Sequence, residues 1–199
     1  MTRRISIVDD DPAVIDSIRL LLESQGFETQ CHADAAALLA APAGTDCIVS
    51  DVRMPGMNGV DMMRELHARK DARPVILLTG HGDIEMAVNA IKGGAFDFIE
   101  KPFDPARLIA AIDSAINKAV ENKVIQEETA QWKERYDSLT DRQRETMALL
   151  VQGFANKEIA TRLGISPRTV EIHRTWVMNK MAARTLADLV RMGIALEIA

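Results

Sequence analysis

Cysteine is nearly missing from this chain. Its 199 residues hold two, Cys31 and Cys47, too few for a disulfide framework and without the spacing of a zinc site. Both fall in apolar runs expected to be strands, so they are read as buried free thiols of a reducing cytoplasm. No apolar run reaches the length of a membrane span. The first residues, Met-Thr-Arg-Arg, lead straight into an expected strand, so a signal peptide is not expected. Hydrophobic residues at 47% and charged residues at 27% exclude a disordered chain and point to packed cores.

Positive charge is scarce at the front and gathered at the back. Residues 1–118 carry 12 Lys/Arg against 18 Asp/Glu, and residues 119–138 carry 3 against 5. Residues 139–199 reverse the balance with 9 against 6, inside a chain of net charge −5. An acidic front and a basic tail imply two jobs, with the tail facing an anionic partner.

The front alternates strand and helix. Short β-branched runs predict strands at 4–8, 27–32, 46–51, 74–79 and 95–99. Between them apolar residues recur at helical spacing, as in Val14, Ile18, Leu21 and Leu22. Gly26 closes the first helix, and Asp83 and Asp104 are placed to cap later ones. Five such units predict an α/β fold, a doubly wound five-stranded parallel sheet. Ligands of such sheets sit beyond the carboxyl ends of the strands.

Glycine and proline then vanish from 106 to 137, which predicts one last helix running on into a helical linker. Unbroken, it would span about 50 Å at about 1.5 Å per residue; a break near Asn122 is the alternative. Beyond it only short helices are expected. Thr140 with Gln143 opens the first as a capping box, and a second runs from Asn156 to Leu163 and stops at Gly164. Ser166-Pro167 starts a third, and Leu186 to Leu196 forms a fourth. Their shared core is assigned to Leu150, Ile159, Leu163, Ile165, Val170, Val177, Met181, Leu186 and Leu189.

The stretch "ISIVDDDP" runs a buried strand into Asp9, Asp10 and Asp11, where each charge raises the cost of the next. Asp11 before Pro12 is a helix N-cap, which leaves two carboxylates unexplained. Asp9 and Asp10 end the first strand, Asp51 the third and Thr79 the fourth, and Lys101 follows the fifth. Magnesium, a hard cation held by one or two carboxylates plus a phosphate, resolves the repulsion and suits phosphoryl transfer to an aspartate. Thr79 and Lys101 then supply a hydroxyl and an ammonium to the phosphoryl oxygens. Residue types alone leave acidic caps and solvated strand ends as an equal alternative.

"VDDDP", "SDVRMPGMNG", "LLTGHGD" and "FIEKPF", in this order and spacing, resemble the receiver domain of two-component response regulators, over residues 1–118. The resemblance implies a flavodoxin-like fold with Asp51 as phosphoacceptor, and Mg2+ on Asp10, Asp51 and the Arg53 carbonyl, with Asp9 helping through water. It also implies Thr79 and Lys101 at the phosphoryl group, a cis Lys101-Pro102 bond, and Phe98 as an aromatic switch. "LTDRQRE", "GFANKEIATRLGISPRTVEIHR" and "VMNKM" resemble the LuxR-type helix-turn-helix, an all-α DNA-binding domain over 139–199 behind a linker at 119–138. The whole chain is thus similar to the FixJ group of response regulators.

What that resemblance implies is a phosphorylation-dependent transcriptional regulator, an activator, in the cytoplasm. Its partners would be a histidine kinase, promoter DNA, a second copy of the chain on phosphorylation, and RNA polymerase. The helix from Pro167 would enter the major groove with its N-terminal residues at base edges. Arg168 and Arg174 suit phosphate or guanine, and Glu171 suits a cytosine amino group. Lys157 and Lys180 suit phosphates, and Thr169 completes the set. Arg162 and Arg184 are expected on solvated faces, and His173 as a hydrogen-bonding residue between helices. An aspartyl-phosphate phosphatase is a second class of function, but Arg53 stands where such enzymes carry an acid and does not protonate a leaving group at neutral pH. A constitutive DNA-binding protein with an inert receiver is a third.

Overall fold

The computed structural model describes residues 2–80 and 84–198, with residues 84–86 as backbone alone. The chain divides into two compact units, Met1–Glu121 and Asn122–Ala199, each with its own hydrophobic core.

In the first unit β1 (Arg4–Val8), β2 (Glu28–His32), β3 (Cys47–Asp51), β4 (Val75–Thr79) and β5 (Asp97–Glu100) alternate with α1 (Pro12–Ser24), α2 (Ala35–Ala40), α3 (Gly59–Ala68), α4 (Ile84–Lys92) and α5 (Pro105–Asp137). Every strand pair is parallel, in the order β2-β1-β3-β4-β5. All residues of β3 and β4 are buried, as an apolar strand covered on both faces should be. Ile18 and Leu22 of α1 pack with Leu108, Ala111, Ile112 and Ala115 of α5 on one face. Leu38 of α2, Met62, Met63 and Leu66 of α3 and Ala90 of α4 cover the other. The sheet is therefore doubly wound, as the strand–helix alternation predicts.

The caps hold where sequence chemistry put them. Asp11 accepts from the Ala13 amide with Pro12 in the first turn, and Gly26 turns the chain out of α1 at φ +85°. Asp104 accepts from the Ala106 amide. Asp83 lies outside the described residues. Gly59 opens α3 so close to β3 that a Cβ there would lie 2.3 Å from the Asp51 carbonyl oxygen; only glycine fits.

Three expectations are corrected. The fifth strand starts at Asp97 rather than at 95, because Gly94 at φ +101° is still turning the chain and Ala95 completes that turn with a bond to the Ala90 carbonyl. Cys31 is exposed while Cys47 is buried, since β2 is an edge strand with neighbours on one side only. Burial pushes the Cys47 thiol up to about 12. Leu186 is 39% exposed and lies outside the core, because it is the first residue of its helix, just past the Thr185 cap.

The second unit holds α6 (Asp141–Val151), α7 (Asn156–Leu163), α8 (Pro167–Met181) and α9 (Leu186–Ala195). Thr140 and Gln143 form the capping box, Gly164 ends α7 in the left-handed region at φ 66°, and Ser166 caps α8 through the Thr169 amide. Met147, Leu150, Ile159, Val170, Val177, Met181 and Leu189 form the core, and Trp132 and Tyr136 of α5 pack against it. The last turns of α5 thus belong to this core. No helix among the described residues is long and apolar enough to cross a membrane.

A buried polar chain closes the amino end of the sheet. Ser6 Oγ and Thr45 Oγ1 lie 2.9 Å apart, and Arg73 donates to Thr45 Oγ1 and forks onto Asp71 at 2.6–3.0 Å. Burial alone would raise the Asp71 pKa, but the hydrogen bonds and charge of Arg73 outweigh it and hold the carboxyl below its usual value. A carboxyl depressed in the folded state contributes stability above its unfolded pKa of about 4, and loses it as pH falls through the folded value. Urea unfolding should therefore show a smaller loss of midpoint between pH 5 and pH 3 for Asp71→Asn than for wild type. Equal losses would remove Asp71 from the acid response.

Candidate functional site

Four strand ends converge at the carboxyl edge of the sheet. β1 hands on to Asp9, β3 ends at Asp51, β4 at Thr79, and Lys101 follows β5. β1 and β3 are adjacent, so Asp9 and Asp51 become neighbours by topology. Both are buried, at 3% and 8% exposure, and Thr79 is fully buried.

The ammonium of Lys101 stands between the two carboxylates. Its Nζ donates to Asp9 Oδ2 at 2.8 Å and to Asp51 Oδ1 at 2.7 Å. The other oxygens are held by backbone: Asp9 Oδ1 accepts from the Asp11 amide at 2.9 Å, and Asp51 Oδ2 from the Arg53 amide at 2.6 Å. Burial works against the charge of Lys101, yet hydrogen bonds to Asp51 and Asp9 and their charges outweigh it and hold the lysine pKa above its usual value. The Lys101 amide donates to the Thr79 carbonyl at 2.6 Å, which seats the lysine beside β4. The Lys101–Pro102 bond is cis.

The three consecutive acids therefore part company. Asp11 caps α1, Asp9 turns inward to Lys101, and Asp10 is exposed. Among the described residues no three carboxylate, histidine or cysteine side chains are gathered for a metal ion. Two buried carboxylates on neighbouring strand ends, with Asp10 at the rim, are nonetheless hard oxygen donors in the number magnesium takes from a protein. The donor chemistry fits that cation.

Phe98 pairs with Leu77 across β5 and β4 and packs, partly buried, against the α2–α3–α4 core. The lysine's second partner, Asp9, was not expected from the spacing of residues; adjacency of β1 and β3 is the signal that would have found it.

In the second unit α7 and α8 form a helix-turn-helix. Lys157, Arg168 and Glu171 are exposed. Arg174 is half-buried and reaches Asn156 Oδ1 at 3.4 Å. The Thr169 hydroxyl lies 2.8 Å from Ser166 Oγ, within the cap of α8. Lys180 is turned inward, donating to the Ser138 carbonyl at 2.8 Å and to Gln143 Oε1 at 3.1 Å. Arg162 is exposed, as expected of a solvated face, and its guanidinium also lies 3.8 Å over the Phe154 ring. Among the described residues the buried Nδ1 of His173 has no hydrogen-bond partner, so that nitrogen does not carry the expected hydrogen-bonding role. Ile172 and Trp176, both exposed on α8, were given no role in the sequence; the helical phase set by Val170 and Val177 identifies them.

Residues 5–113 match the family model of the response regulator receiver domain, and residues 137–193 match that of the luxR family of bacterial regulatory proteins. The chain belongs to the FixJ group of two-component response regulators. The transcriptional regulatory protein FixJ of Azorhizobium caulinodans is 46% identical over 98% of this chain and 93% of its own. The solved response regulator StyR is 38% identical over 96% of this chain and 98% of its own, with a TM-score of 0.75. Full-length FixJ from B. japonicum is 40% identical over all of both chains, with a TM-score of 0.60. A response regulator with a receiver and a luxR-type DNA-binding domain is a transcriptional regulator of a two-component system.

Within this FixJ-group receiver, Lys101 sets one positive charge between two buried carboxylates, and its removal leaves them facing each other. Lys101→Met should destabilise the first unit by about 3 kcal/mol at pH 7, the low end for broken buried pairs, because the lysine keeps some solvent contact. Guanidinium unfolding checks this, and the double change Asp9→Asn with Lys101→Met should recover part of the loss. A single variant as stable as wild type would refute the electrostatic account.

Proposed function

We propose that the chain accepts a phosphoryl group on Asp51 from a histidine kinase and thereby controls its own binding to promoter DNA. The observation that carries this reading is the Lys101 ammonium, 2.7 Å from Asp51 and 2.8 Å from Asp9 at the carboxyl edge of the sheet, beside the fully buried Thr79. Asp10, Asp51 and the Arg53 carbonyl would hold Mg2+, with Asp9 helping through water, and the cation would supply charge neutralisation for the transferring group.

An Asp51 carboxylate oxygen attacks phosphorus, and the bond from phosphorus to the donor's imidazole nitrogen breaks. Lys101 is already protonated and placed to pair with a phosphoryl oxygen, and Thr79 offers a hydroxyl to another. The amide of Arg53 fixes the carboxylate's orientation for the attack. Hydrolysis of the acyl phosphate returns Asp51. The chain thus promotes only its own phosphorylation and dephosphorylation.

Lys101 is shared between Asp9 and Asp51, so a dianion on Asp51 competes for it and rearranges the pocket. Thr79 moves toward the new group, and Phe98 follows into the space that is left. Moving such a two-state equilibrium from mostly off to mostly on takes about 5 kcal/mol of differential stabilisation, within reach of a dianion paired to a metal and an ammonium. The output is a homodimer of cytoplasmic regulators on paired half-sites, acting as an activator that engages RNA polymerase. We assign residues 1–118 to the receiver, 119–138 to the linker and 139–199 to the DNA-binding domain. Lys157, Arg168, Thr169, Glu171, Arg174 and Lys180 form the candidate DNA-contacting set, with Lys157 and Lys180 assigned to phosphates.

Intact-mass spectrometry after incubation with acetyl phosphate and Mg2+ should show one labile phosphoryl adduct that maps to Asp51. Asp51→Asn should show none, and a chelator should suppress it in wild type. Promoter occupancy should rise with labelling and fall steeply with salt. An unlabelled wild-type chain, under conditions that label another receiver, overturns the proposal.

A further inference from the structure

Helix α8 carries two large apolar side chains on its outer face. Val170, Val177 and Met181 are fully buried, whereas Ile172 is 51% and Trp176 53% exposed. Successive helical residues turn by about 100°, so Arg168, Ile172, Thr175 and Asn179 lie along one line opposite that core. Trp176 stands one turn beyond Ile172 and extends it sideways. All five are exposed. An apolar pair held in the middle of an otherwise polar outward face calls for a partner with an apolar spot of matching size.

Charge narrows the choice. Arg168 stands exposed on the same outward line as Ile172, and Lys157 is exposed on α7, within the one segment of the chain that is net basic. A polyanion satisfies them. Within the major groove of duplex DNA, the one apolar group that every thymine offers is its 5-methyl. Isoleucine has no donor or acceptor, so against any polar base edge it would desolvate that edge without return. Against a methyl group it gains burial.

We propose that Ile172 and Trp176 form an apolar ridge that selects operators by the 5-methyl groups of thymines. The proposal rests on the second unit binding duplex DNA, as given above. Glu171, Thr175 and Asn179 beside the ridge are left for the polar edges of neighbouring bases, so the ridge sets where thymine falls within each half-site.

Full-length chain, with acetyl phosphate and Mg2+, is used to select duplexes from a random-sequence library. The enriched duplexes are then remade with deoxyuridine in place of single thymidines, which removes the methyl and nothing else. Wild type should enrich thymine at one or two positions per half-site and bind about four-fold more weakly for each critical methyl lost. Ile172→Ala and Trp176→Ala should each bind the thymidine and deoxyuridine duplexes alike at one such position, with unchanged helical melting. If wild type binds both duplexes equally while still enriching a sequence, the ridge is overturned and DNA binding stands. If wild type enriches nothing, both fall. If the variants keep the thymidine preference but sediment differently, the pair serves a protein contact and the proposal is overturned.

Discussion

Two carboxylates lie buried on neighbouring strand ends, and one ammonium from across the sheet makes that arrangement tolerable. Asp9 and Asp51 each give Lys101 an oxygen at under 3 Å. Without it the two charges would repel in a poorly screened place. Because the lysine is shared, neither acid owns it. A third charge entering the pocket must therefore redistribute all three, which is the physical root of any switch built here. Much of the first unit serves to keep this geometry: the parallel register brings the strand ends level, Gly59 lets α3 start against the Asp51 carbonyl, and the Lys101 amide is tied to Thr79.

The second unit has a different logic. Its core joins aliphatic side chains to three methionines, with Trp132, Tyr136 and Phe154 packed against it. Carbonyls left over at helix termini are met by long cationic side chains: Arg144 at Asp137, Lys180 at Ser138 and Arg135 at Met181. Arg144 and Lys133 also lie over the Tyr136 ring at 5.4 and 5.9 Å. Basic residues here divide between holding the fold and facing outward, and charge counts alone do not separate the two.

The sheet, its helices and the caps at Asp11, Asp104, Thr140 and Ser166 were legible in the sequence, because strand runs, Asp-Pro and Ser-Pro starts and glycine stops are local signals. The caps at Asp34, Asn58 and Thr185 were not read. The exposure of Cys31 was not, since edge position depends on strand order and not on the strand's own residues. The pairing of Lys101 with Asp9 spans 92 positions and is visible only once β1, β3, β4 and β5 are laid side by side. The contact of Arg162 with Phe154 escaped for the opposite reason: Arg162 is solvated as expected, and the ring beneath it comes from the loop before its helix. Ile172 was hidden inside a motif whose neighbouring letters are mostly charged or structural, and Trp176 falls in the gap before the next motif.

Lys180 shows what that division means for alanine scanning. A basic residue near the end of a recognition helix invites the conclusion that any substitution weakening promoter occupancy has deleted a phosphate contact. Here the same side chain joins α8 to the junction between α5 and α6. Truncating it would loosen the platform on which α8 rests, so the lost occupancy would report scaffold geometry rather than a missing charge at the operator.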